Sequence, residues 1–127
     1  MQLIKKTLLP VLLCTLWISL SEFFRNQFLL ADVWNAHYKS MGLVFPVQPI
    51  NGAMWGIWSL LFAISIFIIG KKFSWIVTSL IAWLNGFVLM WVVIGNLGVL
   101  PMGILYAAVP LSLLEAFVAT IIIKKLS

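Results

Sequence analysis

The chain has 127 residues, of which 64% are hydrophobic and only 9% are charged, and its formal net charge at pH 7 is +5. Soluble domains carry about 25% charged residues, so this composition excludes a water-soluble globular domain and predicts an integral membrane protein. The positive charge comes mostly from lysine pairs beside apolar runs, which is typical of cytoplasmic membrane flanks and argues against nucleic-acid binding.

Four apolar segments are long enough to cross a bilayer, which requires about 20 residues in a helix. We predict spans at about 7–28, 52–70, 73–95 and 101–123, joined into one domain over residues 1–127. Short turns after the second and third spans favour an all-α, antiparallel four-helix membrane bundle. Asn51 is the predicted N-cap of the second span and Pro101 the first residue of the fourth.

The first span has an alternative interpretation. A basic start, an apolar core and the small residues Ser19 and Ser21 also fit a secretory signal peptide. Cleavage would remove one lysine pair from an otherwise consistent pattern, so we predict an uncleaved spanning helix. Cys14, the single cysteine, lies in this apolar run and allows no internal disulfide.

Three lysine pairs predict the orientation of the bundle. Lys5-Lys6, Lys71-Lys72 and Lys124-Lys125 are each separated by two predicted crossings, so all three fall on one side of the membrane. Lys and Arg collect on the cytoplasmic flanks of spanning helices. We therefore predict a multi-pass protein of the plasma membrane, here the bacterial inner membrane, with its N- and C-termini in the cytoplasm.

The segment 29–50 is the only long connection, and such connections usually have a function or a structure of their own. We predict a short interfacial helix capped by Asp32 and ending at Gly42, followed by an extended stretch. Trp34 and Tyr38 would share one face of that helix and lie at the membrane interface. In the alternative, the first helix continues beyond the bilayer to Leu30.

The tryptophans and the small residues of the spans predict which parts of the helices lie at the membrane interface and which pack against each other. An outer interfacial belt is expected from Trp34, Trp55, Trp58 and Trp91, whereas Trp17 and Trp83 lie deeper and are expected to pack. Close helix contact, within the bundle or in a dimer, is predicted by Ser79, Ala82 and Gly86 on the third span and by a stripe of small residues on the second. That stripe consists of Gly52, Gly56, Ser59 and Ala63.

Glu115 is the most informative single residue, because it lies about nine residues before Lys124, or roughly 13 Å inside the membrane boundary. An acidic residue at such a depth costs about 2.5–3.5 kcal/mol to insert, so it must face protein or water. Ser112, one turn earlier, belongs to a small-residue seam beside it. Two interpretations stay open: a proton or cation relay or ligand anchor, and a carboxyl group satisfied structurally by a neighbouring helix.

The polar side chains predicted at the depth of Glu115 carry no positive charge. They are Thr15, Ser19, Thr78, Ser79 and Asn85. A salt bridge to Glu115 within one chain is therefore not expected. Glu22 is predicted at a different depth, so a pair of Glu22 with Glu115 is not expected either.

Glu22 and Arg25 form a second candidate, since their i, i+3 spacing places them on one helix face near the outer boundary. They are either a solvated helix end or part of an outer polar vestibule, where Arg25 suits a carboxylate or phosphate. Asn35 and Gln48 are further polar residues of that rim. The candidate ligand-binding residues are Glu115, Ser112, Asn85, Glu22, Arg25, Asn26, Asp32, His37, Asn51 and Asn96.

No known catalytic motif is present, and His37, the only histidine, has no second strong metal ligand near it in sequence. We therefore predict no metal, no cofactor and, on balance, no enzymatic activity. The first functional hypothesis is a protein that binds or transports a small hydrophobic or ionic ligand through a polar pocket. The alternatives are a non-catalytic subunit or assembly partner of a larger membrane complex, and a membrane-embedded enzyme acting on a lipid or quinone at the outer interface. The partners left open are a homo-oligomer and another membrane protein.

Overall fold

The computed structural model describes residues 1–127 and is built from four long apolar helices and one short helix. All four long helices are long and apolar enough to cross a membrane. The chain is therefore an all-α, multi-pass membrane protein, as its composition predicts. In chain order the helices are α1 (Ile4–Leu29), α2 (Ala31–Ser40), α3 (Pro49–Gly70), α4 (Trp75–Asn96) and α5 (Met102–Leu126).

The start of α3 differs from the prediction. Gln48, not Asn51, is the N-cap: its backbone N–H donates to Asn51 Oδ1 at 2.9 Å, while its own side chain accepts from the Asn51 backbone. This reciprocal capping box places Pro49 in the first turn, where the missing N–H costs nothing. Pro101 is likewise the N-cap of the opening 3₁₀ turn of α5, with extended backbone, and not its first residue.

The four spanning helices form a four-cornered bundle. α1 packs against α3 and α5, and α4 also packs against α3 and α5, so α1 and α4 lie at opposite corners. Buried side chains from all four helices form the main core, among them Cys14, Ile18, Ile66, Phe87 and Ala116. Large apolar side chains on the outer faces stay exposed, as they do in helices surrounded by lipid.

The three lysine pairs gather at one end of the bundle, which we call the lysine end. Lys124 Nζ donates to Gly70 O at 2.7 Å and to Phe73 O at 2.9 Å, which ties α5 to the turn between α3 and α4. Because α1 runs antiparallel to α5, Lys5-Lys6 lies at the same end. The opposite end carries α2 and is called the α2 end.

α2 is separated from α1 by a single break at Leu30, where the backbone leaves helical geometry. Asp32 lies in the first turn of α2 and makes no cap, contrary to expectation. The helix ends at Ser40, and Gly42 has a φ of 74° while Leu43 N–H bonds to Tyr38 O. This Schellman arrangement explains why the helix stops where the glycine predicts. The alternative of a long α1 also holds as far as Leu29.

Only half of the small-residue stripe on α3 makes close contacts. Ser59 and Ala63 are fully buried in the bundle. A Cβ added at Gly52 or Gly56 would meet no atom within 4 Å, so the predicted close packing is wrong for this half of the stripe. The tightest glycine is Gly86 on α4, which belongs to the predicted stripe of the third span. A Cβ added there would lie 2.6 Å from the Phe62 ring, so close packing is confirmed at this position.

Candidate functional site

A buried ionic cluster of three side chains, Glu22, Arg25 and Glu115, lies inside the bundle. Arg25 Nη2 bonds to Glu22 Oε1 at 2.5 Å, and Arg25 Nη1 bonds to Glu115 Oε1 at 3.3 Å. Glu22 and Arg25 are each 4% exposed and Glu115 is 0% exposed. The chain has only three acidic residues, and two of them are in this cluster.

The cluster corrects two expectations about Glu115, which were that it has no salt bridge in its own chain and that it lies far from Glu22. Trp17 Nε1 donates to Glu115 O at 3.0 Å, which sets the register of the antiparallel helices α1 and α5. Arg25 lies about eight residues beyond Trp17, or about 12 Å along the axis of α1.

The direction of helical side chains explains how Arg25 reaches Glu115 despite this distance along the helix axis. Helical side chains lean toward the N-terminus of their own helix. Because α1 and α5 are antiparallel, Arg25 leans toward the lysine end while Glu115 leans toward the α2 end. The two long side chains therefore approach each other, and a depth estimate from backbone position alone misses the contact.

The polar residues that were expected near Glu115 bond elsewhere. Thr15, Thr78, Ser79 and Asn85 each donate to a backbone carbonyl four or five residues earlier in the chain. Such local bonds satisfy a hydroxyl or amide without a partner helix. Asn85 is also exposed on the outside of the bundle, so it lies apart from the ionic cluster.

A chain of hydrogen bonds extends the ionic cluster toward the α2 end. Asn26 Nδ2 donates to Glu22 Oε2 at 3.0 Å, and Trp34 Nε1 on α2 donates to Asn26 Oδ1 at 3.0 Å. On the other side, the Arg25 guanidinium lies 5.3 Å from the centre of the Phe87 ring, within the range of a cation–π contact. The cluster is thus held by α1, α2, α4 and α5 together.

One oxygen of the cluster has no partner. Glu115 Oε2 is buried and accepts no hydrogen bond. Leaving a buried polar atom unpaired costs about 1–3 kcal/mol, and more for a charged group. With all three groups ionised, the cluster has two carboxylates for one guanidinium, so one further positive charge is needed to balance it.

A cavity of about 380 Å³ lies between this cluster and α2. We call it the aromatic cavity. Glu22, Arg25 and Asn26 are at its polar side, and Asn51 also lines it. Its other walls are mainly aromatic and aliphatic and include Trp34, Tyr38, Phe45, Trp55, Trp58, Met90 and Trp91.

The four tryptophans of the predicted outer interfacial belt all lie at one cavity. Trp34, Trp55, Trp58 and Trp91 all line the cavity. The face of α2 that was assigned to the membrane interface instead points inward, where Trp34 and Tyr38 pack against Phe45. The i, i+4 spacing identified this face in the sequence but did not say which surface it covers.

The deeper tryptophans pack in the core, as predicted. Trp83 Nε1 donates to Ser112 Oγ at 2.9 Å, so the Ser112 hydroxyl is engaged within the bundle. Trp17 is bonded to the backbone of Glu115 in the same way. Ser112 therefore supports the wall beside the ionic cluster and lies outside the lining of the aromatic cavity.

Three other predicted site residues lie around the α2 end without joining the cluster. Asp32 is exposed on α2, and Asn96 is exposed at the end of α4. His37 Nε2 lies 2.9 Å from Gly98 O, so it connects α2 to the turn between α4 and α5. Of the predicted set, the structure joins Glu22, Arg25, Asn26 and Glu115 by hydrogen bonds and places Asn51 at the cavity wall.

Comparison with models of known families, with curated proteins and with solved structures finds no match to this chain. No group of three or more His, Cys, Asp or Glu side chains converges in the structure. The chemistry of the site is therefore defined by the ionic cluster and the aromatic walls above it.

Proposed function

We propose that this protein binds a small organic cation in the aromatic cavity and transports it across the membrane. The observation that carries the proposal is the pair of carboxylates, Glu22 and Glu115, held on a single guanidinium, with Glu22 and Arg25 at the edge of an aromatic cavity.

The charge of the cluster supports a cation over an anion. Arg25 already bonds to both carboxylates, so little of its charge is left for an anionic ligand. With both carboxyl groups ionised, the cluster carries one excess negative charge, which attracts a positive group, and the attraction is strong in a site shielded from water.

The walls of the cavity support an organic cation over a metal ion. Indole and phenol rings attract cations over their faces, and cages of such rings are used to recognise quaternary ammonium groups. Trp34, Tyr38, Trp58 and Trp91 supply such rings around one space. The apolar remainder of the wall suits the carbon substituents of the ligand.

The proposed orientation places the α2 end outside the cell and the lysine end in the cytoplasm of a bacterium. The supporting observation is that all three lysine pairs share one end of the bundle, and basic residues collect on the cytoplasmic side. The aromatic cavity then lies in the outer half of the inner membrane. The protein would accept its ligand from that side.

Binding of choline to the protein in lipid nanodiscs, followed by tryptophan fluorescence, tests this proposal. Choline should bind more tightly than its uncharged carbon isostere dimethylbutanol and more tightly than the anion dimethylbutyrate. Glu22→Gln and Glu115→Gln should each weaken choline binding about tenfold, which corresponds to about 1.4 kcal/mol. Asp32→Asn is the matched control, because this acid lies outside the cluster and should change little.

Equal binding of choline and its neutral isostere would contradict the proposal, as would tighter binding of the anion. Transport is tested by uptake of labelled choline into proteoliposomes. Uptake that is absent from vesicles containing Glu115→Gln, yet present with Asp32→Asn, is the expected result.

A further inference from the structure

A second cavity lies on the lipid-facing side of the bundle, between α1 and α3. Its volume is about 510 Å³, and we call it the lateral groove. Leu20 and Phe23 line it from α1 and are 58% and 65% exposed, so the groove faces the hydrocarbon of the bilayer. Gly52 and Gly56 line it from α3, and a Cβ added at either glycine would meet no atom within 4 Å.

The lateral groove and the aromatic cavity share five lining residues. Glu22, Asn26, Pro46, Asn51 and Trp55 line both spaces. The Glu22 carboxylate, which is nine-tenths buried and belongs to the ionic cluster, therefore borders the groove as well. A ligand in the groove is in reach of the same negative charge as a ligand in the cavity.

We infer that the lateral groove admits a cationic amphiphile from the membrane, with its alkyl chain between α1 and α3 and its cationic head against Glu22. This rests on the proposed function and names the substrate class as a membrane-borne amphiphile with a quaternary or protonated amine. Charge complementarity selects this occupant: the groove is apolar where it meets lipid and bordered by a carboxylate where it meets the cavity. An anionic lipid would bring a phosphate toward Glu22 with no cation to compensate it, and the carboxylate repels that phosphate.

Glycine substitutions can close the groove without disturbing the core. Gly56→Leu and Gly52→Leu place a side chain in space that is empty, and leucine is a better helix former than glycine. Ala53→Leu is a matched control, because Ala53 is exposed on the same helix and lines neither cavity. The test compares dodecyltrimethylammonium, below its micellar concentration, with choline in nanodiscs.

We expect wild-type protein to bind both probes, and Gly56→Leu to weaken dodecyltrimethylammonium binding about tenfold while choline binding stays within twofold. Ala53→Leu should resemble wild type for both. Equal effects of Gly56→Leu and Ala53→Leu on the long-chain probe would overturn the groove inference while leaving the cation site intact. A different result would refute the small-cation function and support the groove inference. In that result, wild-type protein does not bind choline but binds the long-chain probe, and Gly56→Leu weakens this binding.

A second copy of the protein is the remaining alternative occupant of the groove, and it gives a different experimental result. A wild-type dimer that dissociates in Gly56→Leu but not in Ala53→Leu, measured by native mass spectrometry, would assign the groove to self-association and overturn the inference. A monomer carrying an amine-bearing amphiphile, lost in Gly56→Leu, is the expected result.

Discussion

The Arg25 guanidinium lies 3.3 Å from the Glu115 carboxylate, although the two residues are separated by 90 positions in the chain. This contact joins the first spanning helix to the last across the centre of the bundle. Since Arg25 also holds Glu22, a single guanidinium pairs with both buried carboxylates. The cluster is therefore both part of the proposed recognition site and a contact through which the first and last spanning helices stabilise each other.

Removing the cation should leave the buried carboxylates uncompensated. We expect Arg25→Gln to lower the free energy of unfolding by about 3–5 kcal/mol, the cost typical of breaking a buried ion pair. The double variant Arg25→Gln with Glu115→Gln should recover part of that loss, because one unpaired carboxylate is gone. Unfolding in mixed micelles with increasing SDS, followed by tryptophan fluorescence, measures both. Simple additivity of the two single effects would show that the residues are not coupled.

α2 is held over the aromatic cavity by few polar contacts, and Trp34 makes one of them. Trp34→Phe keeps an aromatic ring but removes the hydrogen bond to Asn26 Oδ1, which is worth about 1 kcal/mol. We expect faster amide hydrogen exchange in Ala31–Ser40, with exchange in α3 unchanged. Trp75→Phe, at the lysine end, should leave the exchange of α2 as it is in wild type. Unaltered protection of α2 in Trp34→Phe would mean that packing alone holds this helix.

The approach of α3 to α4 depends on the absence of a side chain at Gly86. Gly86→Ala places a methyl group 2.6 Å from the buried Phe62 ring, which must shift and disturb Phe87 beneath Arg25. Overpacking of this kind costs about 1–3 kcal/mol. Gly56→Ala, on the open groove, should instead be neutral or slightly stabilising. Thermal unfolding in detergent distinguishes them, and equal midpoints for the two variants would contradict the close approach.

The lysine end contains a second structural contact, in which Lys124 caps backbone carbonyls of the α3–α4 turn. Lys124→Met should destabilise the bundle by about 1.5–3 kcal/mol, the range for a hydrogen bond to a charged group. The neighbouring Lys125 is exposed and has no such bonds, so Lys125→Met is a control with the same change in net charge. Equal unfolding midpoints would indicate that only the charge of this end matters.

Local features of the sequence were enough to predict the elements of the fold. Uninterrupted apolar runs located the four spans to within a few residues, because a helix must cover the hydrocarbon and satisfy its own backbone there. Gly42 marked the end of α2, since a left-handed residue is needed after its last turn. The errors at Asn51 and Pro101 were shifts of one to three residues at helix starts. At the start of α3 both Gln48 and Asn51 are polar and bond to each other, so either could have been the cap from sequence alone.

For the candidate site, the sequence and the tertiary structure supplied different information. By itself the sequence determined that Glu115, Glu22 and Arg25 are exceptional, because a charge in an apolar span is costly wherever it points. Only the tertiary structure decided that the three meet, that Asn85 and Asn96 stay apart, and that the outer tryptophans enclose a cavity. The physical reason is that insertion cost depends on the depth and chemistry of one residue, whereas contact depends on the rotation, register and side-chain direction of two packed helices.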